Sequence, residues 1–296
     1  MTGLLLVDKP VGMTSHDVVD HIRRAAGTRR VGHTGTLDPN ATGLLILCLG
    51  AATRLSEHLT GMDKTYEGIM RLGITTNSFD LDGAVETEQP VPELEAAQIQ
   101  AVCDRFVGDI EQLPPMVSAV KIGGERLYKK ARKGEVVERQ PRRIRVQEFS
   151  VQGYTPPDVS VRVRCSRGTY VRSLCHDVGQ KLGCGAVLAA LRRTWVGNHS
   201  VEEAGTLDDF TDQASVRARL LPMNEALDLP EVLANAAGRH IVRTGGKLGI
   251  QELRAPCPVR EGWVQIKAED GELLALGTVE RTAMDLLIQP RRVFTK

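Results

Sequence analysis

Leu44 to Leu49 is an unbroken run of six apolar residues, LLILCL, and it constrains the fold more than any other stretch of the chain. Successive side chains of a strand point to opposite faces, so a run with no polar member must be covered on both sides. An open single layer is thereby excluded. The run is also far shorter than the ~20 apolar residues of a membrane span, as is Leu4 to Val7, so no membrane crossing is expected. Directly before it lies Val31 to Gly43, where three glycines and a proline within thirteen residues require an ordered loop or turn.

Around this strand the apolar spacing predicts further elements. Leu4 to Val7 reads as a strand closed by Asp8-Lys9-Pro10, because proline cannot donate to a central ladder. Thr14 and Asp17 stand at capping-box spacing before Val18, Val19, Ile22, Ala25 and Ala26, which predicts a helix over about 15–26, ended by Gly27. Helices are also expected over 52–59 and 94–106, and from 170 to 182, where Val171, Leu174, Val178 and Leu182 share a stripe. Thr65 to Leu72 alternates as a strand, and 143–153 with 159–165 reads as a hairpin, with Val159, Val161, Val163 and Cys165 on one face. After Leu221-Pro222 the texture changes to short strands with Asp270-Gly271 as a hairpin turn. A chain of 296 residues exceeds the size of one economical core. We therefore expect an α+β fold with a mixed, mostly antiparallel sheet over residues 1–224, followed by a small all-β domain over 225–296.

Composition narrows the function. Six cysteines are scattered without a C-x-x-C pair or clustered histidines, so reduced core thiols are expected and a zinc site is not. The N-terminus shows no secretory signal pattern, which leads us to expect a cytoplasmic protein. Net charge is only +1, but its distribution is uneven: Lys121 to Arg145 holds ten basic residues against three acidic ones, leaving the remainder at −6. Such a run serves equally as a solvated face or as a phosphate-contacting surface.

The glycine-rich loop GHTGTLDPNATG carries an acid at its centre. Pro39 holds Asp38 extended, and the flanking glycines permit tight turns and close backbone approach. Asp-Pro is also common in plain turns, and from the tripeptide alone that is the simpler reading. A phosphate cradle fails on pattern, since G-x-x-x-x-G-K-[ST] is absent and a central acid would repel phosphate.

The stretch GHTGTLDPNATGLL resembles the signature of the TruB family of pseudouridine synthases, in which the aspartate before the proline is catalytic. LLLVDKPVGMTS, DKTYEGIMRLG, PPMVSAVKIGGERLYKKARKG and RCSRGTYVRSLCHDVGQKLGCGAVLAALRRT match further family blocks in the same order, from residue 4 to 194. DGELLALGTV and PRRVF resemble the PUA-type RNA-binding domain that follows in this family. Asn77-Ser78 depart from the usual Asp-Thr before Asp80, which bears on the contacts of the 75–83 loop.

The resemblance implies an isomerase, a tRNA pseudouridine-55 synthase, that extrudes a uridine from the T-loop of the tRNA T-arm and rearranges its glycosidic bond. The reaction is an isomerisation and implies no cofactor and no metal. By resemblance Asp38 is the catalytic carboxylate and Arg172 its partner charge, while Tyr66 stacks on the target uracil and acts as a base. His33 helps to hold the extruded loop, Tyr170 shapes the pocket, Leu191 contacts the uracil through its backbone, and Lys9 with Pro10 buttresses the catalytic loop. Without the family Asp38, Arg172, Tyr66, Tyr170, His33 and Leu191 read as ordinary: a turn acid, a solvated arginine, core or loop side chains. The block about 114–142 is expected to form a thumb that closes over RNA, a feature of stand-alone bacterial enzymes, which implies a monomer needing no guide RNA or protein partner. A guide-RNA-dependent synthase and a non-catalytic RNA-binding protein are the rival readings.

Overall fold

In the computed structural model the apolar run forms the strand Thr42–Leu49, and its two faces are buried by different partners. Leu45, Leu47 and Leu49 pack with Val18, Val19 and Ile22 of helix α1 (Ser15–Ala26). Leu44, Ile46 and Cys48 pack the other way, with Leu55, Leu59 and, from the far end of the chain, Leu273 and Leu276. Helix α1 has the predicted limits because both caps form: Asp17 and Thr14 exchange hydrogen bonds of 2.8 and 3.1 Å, and Gly27 closes the helix at φ 62°. The structure describes residues 1–116, 121–122, 125–126, 138–281 and 286–294. Most of the expected thumb lies outside these residues.

The large sheet has nine strands: β1 (Gly3–Lys9), β2 (Val31–His33), β3 (Thr42–Leu49), β4 (Lys64–Leu72), β5 (Gly108–Gln112), β6 (Arg142–Thr155), β7 (Asp158–Cys165), β8 (Ala186–Val196) and β9 (His199–Ser200). They run β1-β3-β8-β4-β7-β6-β5, with β2 on β3 and β9 on β8. Every pairing is antiparallel except β3 with β8, which is parallel and consists of two residue pairs, Thr42 with Arg192 and Gly43 with Arg193. The sheet is thus joined at its middle by a short seam, and the loop containing Asp38 enters the sheet there. Gly43 makes the seam possible: its φ is +99°, and a Cβ would lie 2.3 Å from the Arg193 carbonyl oxygen. Beside the seam β8 carries register shifts between Leu188 and Ala190 and between Arg193 and Trp195, bulges that re-aim side chains next to the loop.

The other half of the sheet is covered by α3 (Ala96–Cys103) and α4 (Val171–Leu182), with Ile99, Leu174 and Val178 packed against Met70, Val161 and Val163. Two expected helices are shorter than their apolar spacing suggested. Residues 52–59 divide into a 3-10 segment (Gly50–Leu55) and the helix α2 (Ser56–Gly61), and 94–106 begins at Ala96 after the Glu95 cap and ends in a 3-10 turn. The C-terminal strands β10 (Glu231–Ala234), β11 (Gly262–Ala268), β12 (Leu273–Arg281) and β13 (Leu286–Val293) form a separate four-stranded sheet. Its turn uses Gly271 at φ 83°. The unit is the small β domain expected, and it also carries one helix, Ala236–Arg243, started by the Asn235 cap; eight residues are too few for periodicity to announce. All six cysteines are free thiols, five of them buried. Among the described residues no helix is long and apolar enough to cross a membrane.

Candidate active site

Five side chains hold the Asp38 loop from beneath. Leu37 and Ala41 bury their side chains in the core on either side of the aspartate. Ser15, in the first turn of α1, donates to the Leu37 carbonyl at 3.1 Å and accepts from its amide at 2.8 Å. Lys9, fully buried at the end of β1, donates all three ammonium protons to carbonyls: Pro10 at 2.8 Å, Met13 at 2.7 Å and Pro39 at 3.1 Å. Arg193, buried on β8, donates to the carbonyls of Leu44 at 2.7 Å and Gly35 at 3.0 Å. The backbone is therefore pinned at positions 35, 37 and 39, and the Asp38 side chain projects from it, as do the exposed Thr36, Pro39 and Asn40. Burial pushes Lys9 down to about 8 and Lys64, beside Arg193, also down to about 8, with Arg193 adding to both and Asp38 opposing the fall at Lys9.

Arg172 comes from the first turn of α4 and has 6% of its side chain exposed. It reaches two carboxylates, Asp38 Oδ2 at 3.3 Å and Asp80 Oδ2 at 2.9 Å. The other Asp80 oxygen is occupied by the Ser78 hydroxyl and by the Asp82 amide at 3.2 Å, which leaves Oδ2 for the arginine. Solvent touches 54% of the Asp38 side chain, yet protein crowds the carboxylate closely enough that desolvation raises its pKa. Arg172 opposes this, and Asp80 and Asp82 reinforce it. The exposed side of Asp38 faces a walled pocket rather than open surface, so its carboxylate is only partly hydrated. Asp38, Asp80, Asp82, Leu188 and Leu191 line a narrow pocket that shares Asn40, Leu81 and residues 189–191 with a neighbouring cleft of about 820 Å³.

The remaining predicted residues are distributed around this centre. Tyr66, on β4 opposite Arg193, is 8% exposed and hydrogen-bonds to Arg193; its burial raises the phenol pKa, so it rests protonated. The expectation that it acts as a base therefore meets an unfavourable setting. Tyr170 is the N-cap of α4, with its ring centroid 5.8 Å from the Arg172 guanidinium carbon and its backbone held at both ends by Gln112, at 2.8 and 3.0 Å. Leu191 lines both the pocket and the cleft. His33 sits at the end of β2, with Nδ1 accepting from the Gly35 amide at 3.4 Å, outside the pocket wall. Lys9 lies under the loop with its donors spent, which fits the buttress and leaves none for RNA.

Sequence reasoning did not single out Asp80, Asp82, Arg193 or Ser15. The acid pair in Asp80-Leu81-Asp82-Gly83 was a visible signal. Arg193 and Ser15 gave none, since a strand arginine and a first-turn serine look like surface residues until the chain is folded. Among the described residues no group of three or more His, Cys, Asp or Glu side chains is disposed to hold a metal ion.

Comparison with known proteins places this geometry. A family model described as TruB family pseudouridylate synthase (N terminal domain) matches residues 23–171, and one described as tRNA pseudouridylate synthase B C-terminal domain matches 172–228. The tRNA pseudouridine synthase B of Opitutus terrae is 50% identical over 228 residues, 76% of this chain and 95% of that protein. The protein of the same name from Burkholderia mallei is 44% identical over 299 residues, 100% of this chain and 98% of that protein. Among solved structures, a chain of an H/ACA RNP bound to a substrate RNA containing 2′-deoxyuridine superposes with a TM-score of 0.77 at 27% identity, over 99% of this chain and 85% of that one. A chain of a Cbf5-Nop10-Gar1 complex gives a TM-score of 0.77 at 28% identity, with coverage of 99% and 85%. With two family models spanning residues 23 to 228 and a relative matched along its whole length, the chain belongs to the TruB family of pseudouridylate synthases.

Proposed function

We propose that the chain converts uridine to pseudouridine in the T-loop of tRNA, at the position its family designates 55, with Asp38 as the catalytic carboxylate. The observation that carries this reading is a single projecting acid on a backbone pinned at three positions, 3.3 Å from a buried arginine, at the edge of a cleft of about 820 Å³. The reaction breaks the bond from uracil N1 to ribose C1′, turns the base, forms the bond from C5 to C1′, and transfers the C5 proton away as N1 gains one. An anion at the sugar–base junction serves this chemistry, as nucleophile or as stabiliser of positive charge on the sugar, and in both roles it must be ionised. Arg172 supplies the opposing charge. When RNA covers the exposed side of Asp38, desolvation grows and so does the weight of that ion pair.

The other residues support this step. Tyr66 offers an aromatic face and a proton donor, Leu191 the wall against the uracil, and Tyr170 the side of the pocket near Arg172. His33, at the mouth of the loop, meets the nucleotides beside the extruded base. Extrusion costs a few kcal/mol, which phosphate contacts offset; we assign these to the basic segment 121–145, most of which belongs to a thumb at about 114–142, and to a PUA-like domain at 225–296. We infer further that the protein acts as a cytoplasmic monomer on the T-arm without cofactor, guide RNA or protein partner.

An isolated T-arm transcript incubated with purified protein, followed by pseudouridine mapping by nucleotide, tests the whole reading. Modification of the T-loop uridine supports it, and a requirement for a guide RNA or added protein refutes the stand-alone assignment. Asp38→Asn should keep tRNA affinity while lowering turnover at least ~10⁴-fold, about 5.4 kcal/mol of barrier. Equal turnover of variant and parent would remove Asp38 from its role.

A further inference from the structure

Helix α4 presents two side chains, one turn apart, to the loop that carries Asp80. Arg172 takes the Asp80 carboxylate at 2.9 Å, and His176 stacks on Phe79 with ring centroids 4.0 Å apart and planes inclined by 23°. Residues four apart share a helix face, so the two side chains grip adjacent residues of one loop. Phe79 has φ 66°, and among the described residues no other residue except glycine has a positive φ. That conformation is disfavoured for any residue with a Cβ and persists only where its surroundings enforce it. On the far side the Phe79 carbonyl accepts from the Leu188 amide at 2.9 Å, and Asp80 bridges to Leu188 of β8. The His176 imidazole is half-buried, and its Nδ1 has no hydrogen-bond partner among the described residues. A buried polar ring is ordinarily satisfied by hydrogen bonds, and here the ring instead makes an aromatic contact.

We propose that His176 and Phe79 are positioning residues for the reaction. Their stack fixes the left-handed turn at Phe79, the turn aims the Asp80 carboxylate at Arg172, and the Asp80 contact sets where Arg172 meets Asp38. The proposal rests on the roles of Asp38 and Arg172 given above. It also gives the Asn77-Ser78 departure a place. Those two residues hold the inside of the loop, through Asn77 Oδ1 accepting from the Ala84 amide at 3.1 Å and Ser78 donating to Asp80, while the stack holds the outside.

The test measures single-turnover pseudouridine formation, the dissociation constant for tRNA and the melting temperature. The variants are His176→Ala, His176→Phe, Phe79→Leu, Asp80→Asn, Asp38→Asn and the double variant His176→Ala/Asp80→Asn. His176→Ala and Phe79→Leu should slow the chemical step about three- to tenfold, the size expected from losing one stacked ring pair, with tRNA affinity within about twofold of the parent. His176→Phe, which keeps a ring, should return to within about twofold of the parental rate. The double variant should be no slower than Asp80→Asn alone, because the stack acts through Asp80; general loosening of the fold would multiply the two defects instead. Multiplicative defects, or a parental rate in Phe79→Leu or His176→Ala, overturn the proposal. Should His176→Ala fail to fold, His176→Phe and Phe79→Leu decide alone: failure of the first to rescue, or a parental rate in the second, has the same force. An active Asp38→Asn would instead mean that the reading of the site had failed, a result distinct from loss of the clamp.

Discussion

Replacing Lys9 by methionine separates two opposing quantities that can be sized from its surroundings. The fall of its pKa from 10.5 to about 8 puts the burial penalty of the ammonium at roughly 3 kcal/mol. Against this stand three charge-assisted hydrogen bonds to the carbonyls of Pro10, Met13 and Pro39, each worth ~1.5–3 kcal/mol. Methionine removes the penalty and forfeits the bonds, so Lys9→Met should lose about 1.5–6 kcal/mol of stability. One of the three bonds reaches the residue after Asp38. Its share, ~1.5–3 kcal/mol, corresponds to a loop out of place often enough to slow catalysis about 10- to 150-fold. Urea melts and single-turnover assays on a tRNA transcript measure both effects. The pH dependence adds an independent check. The unfolded lysine keeps its proton to about 10.5 and the folded one releases it near 8, so raising pH across that window relieves the penalty and stabilises the parent relative to the variant. A variant with parental stability and rate, or a stability difference flat from pH 8 to 10, would refute the reasoning.

Other outcomes follow from the same contacts. Because the ionised Asp38 is disfavoured in the fold by desolvation, Asp80 and Asp82, Asp38→Asn should melt no lower than the parent, and a clear drop would count against the crowded setting described for it. A raised Asp38 pKa places the acidic limb of kcat/KM above the usual carboxylate value, and Asp82→Asn, which removes one repelling anion, should move that limb to lower pH; a limb that moves upward contradicts the charge assignment. Gly43→Ala should cost at least ~1–3 kcal/mol from backbone strain, with further loss from the 2.3 Å approach to the Arg193 carbonyl, and a variant melting like the parent would show that the β3–β8 seam tolerates separation. Binding of tRNA should weaken with salt at a log–log slope near −3, as for ~4 neutralised phosphates, and a flat response in filter binding would remove the basic segment from recognition.

Local rules carried the elements and the catalytic loop. Alternation and capping are decided within a few residues, so helix α1, the hairpin of 143–153 with 159–165 and the doubly buried strand from Leu44 to Leu49 were legible, as was Asp38 beside its proline. Short elements escaped, because the helix Ala236–Arg243 and the 3-10 segments are set by caps and packing rather than by a repeating pattern. The site beyond Asp38 was legible only through likeness to a family. Arg172 reaches Asp38 across more than a hundred residues of sequence, and Asp80 joins it from a third segment. What the sequence alone determined was helices α1 and α4, the strands around Leu4 to Val7, Leu44 to Leu49 and Thr65 to Leu72, the hairpin of 143–153 with 159–165, and one rigidly presented acid. The tertiary structure decided that β3 and β8 meet in a two-residue parallel seam, that Lys9, Ser15 and Arg193 turn inward to hold the loop, and that one guanidinium is shared by two carboxylates. The reason is physical: pattern and propensity act over a turn or a strand, whereas charge pairing and burial are set by distance through space, which only the folded chain defines.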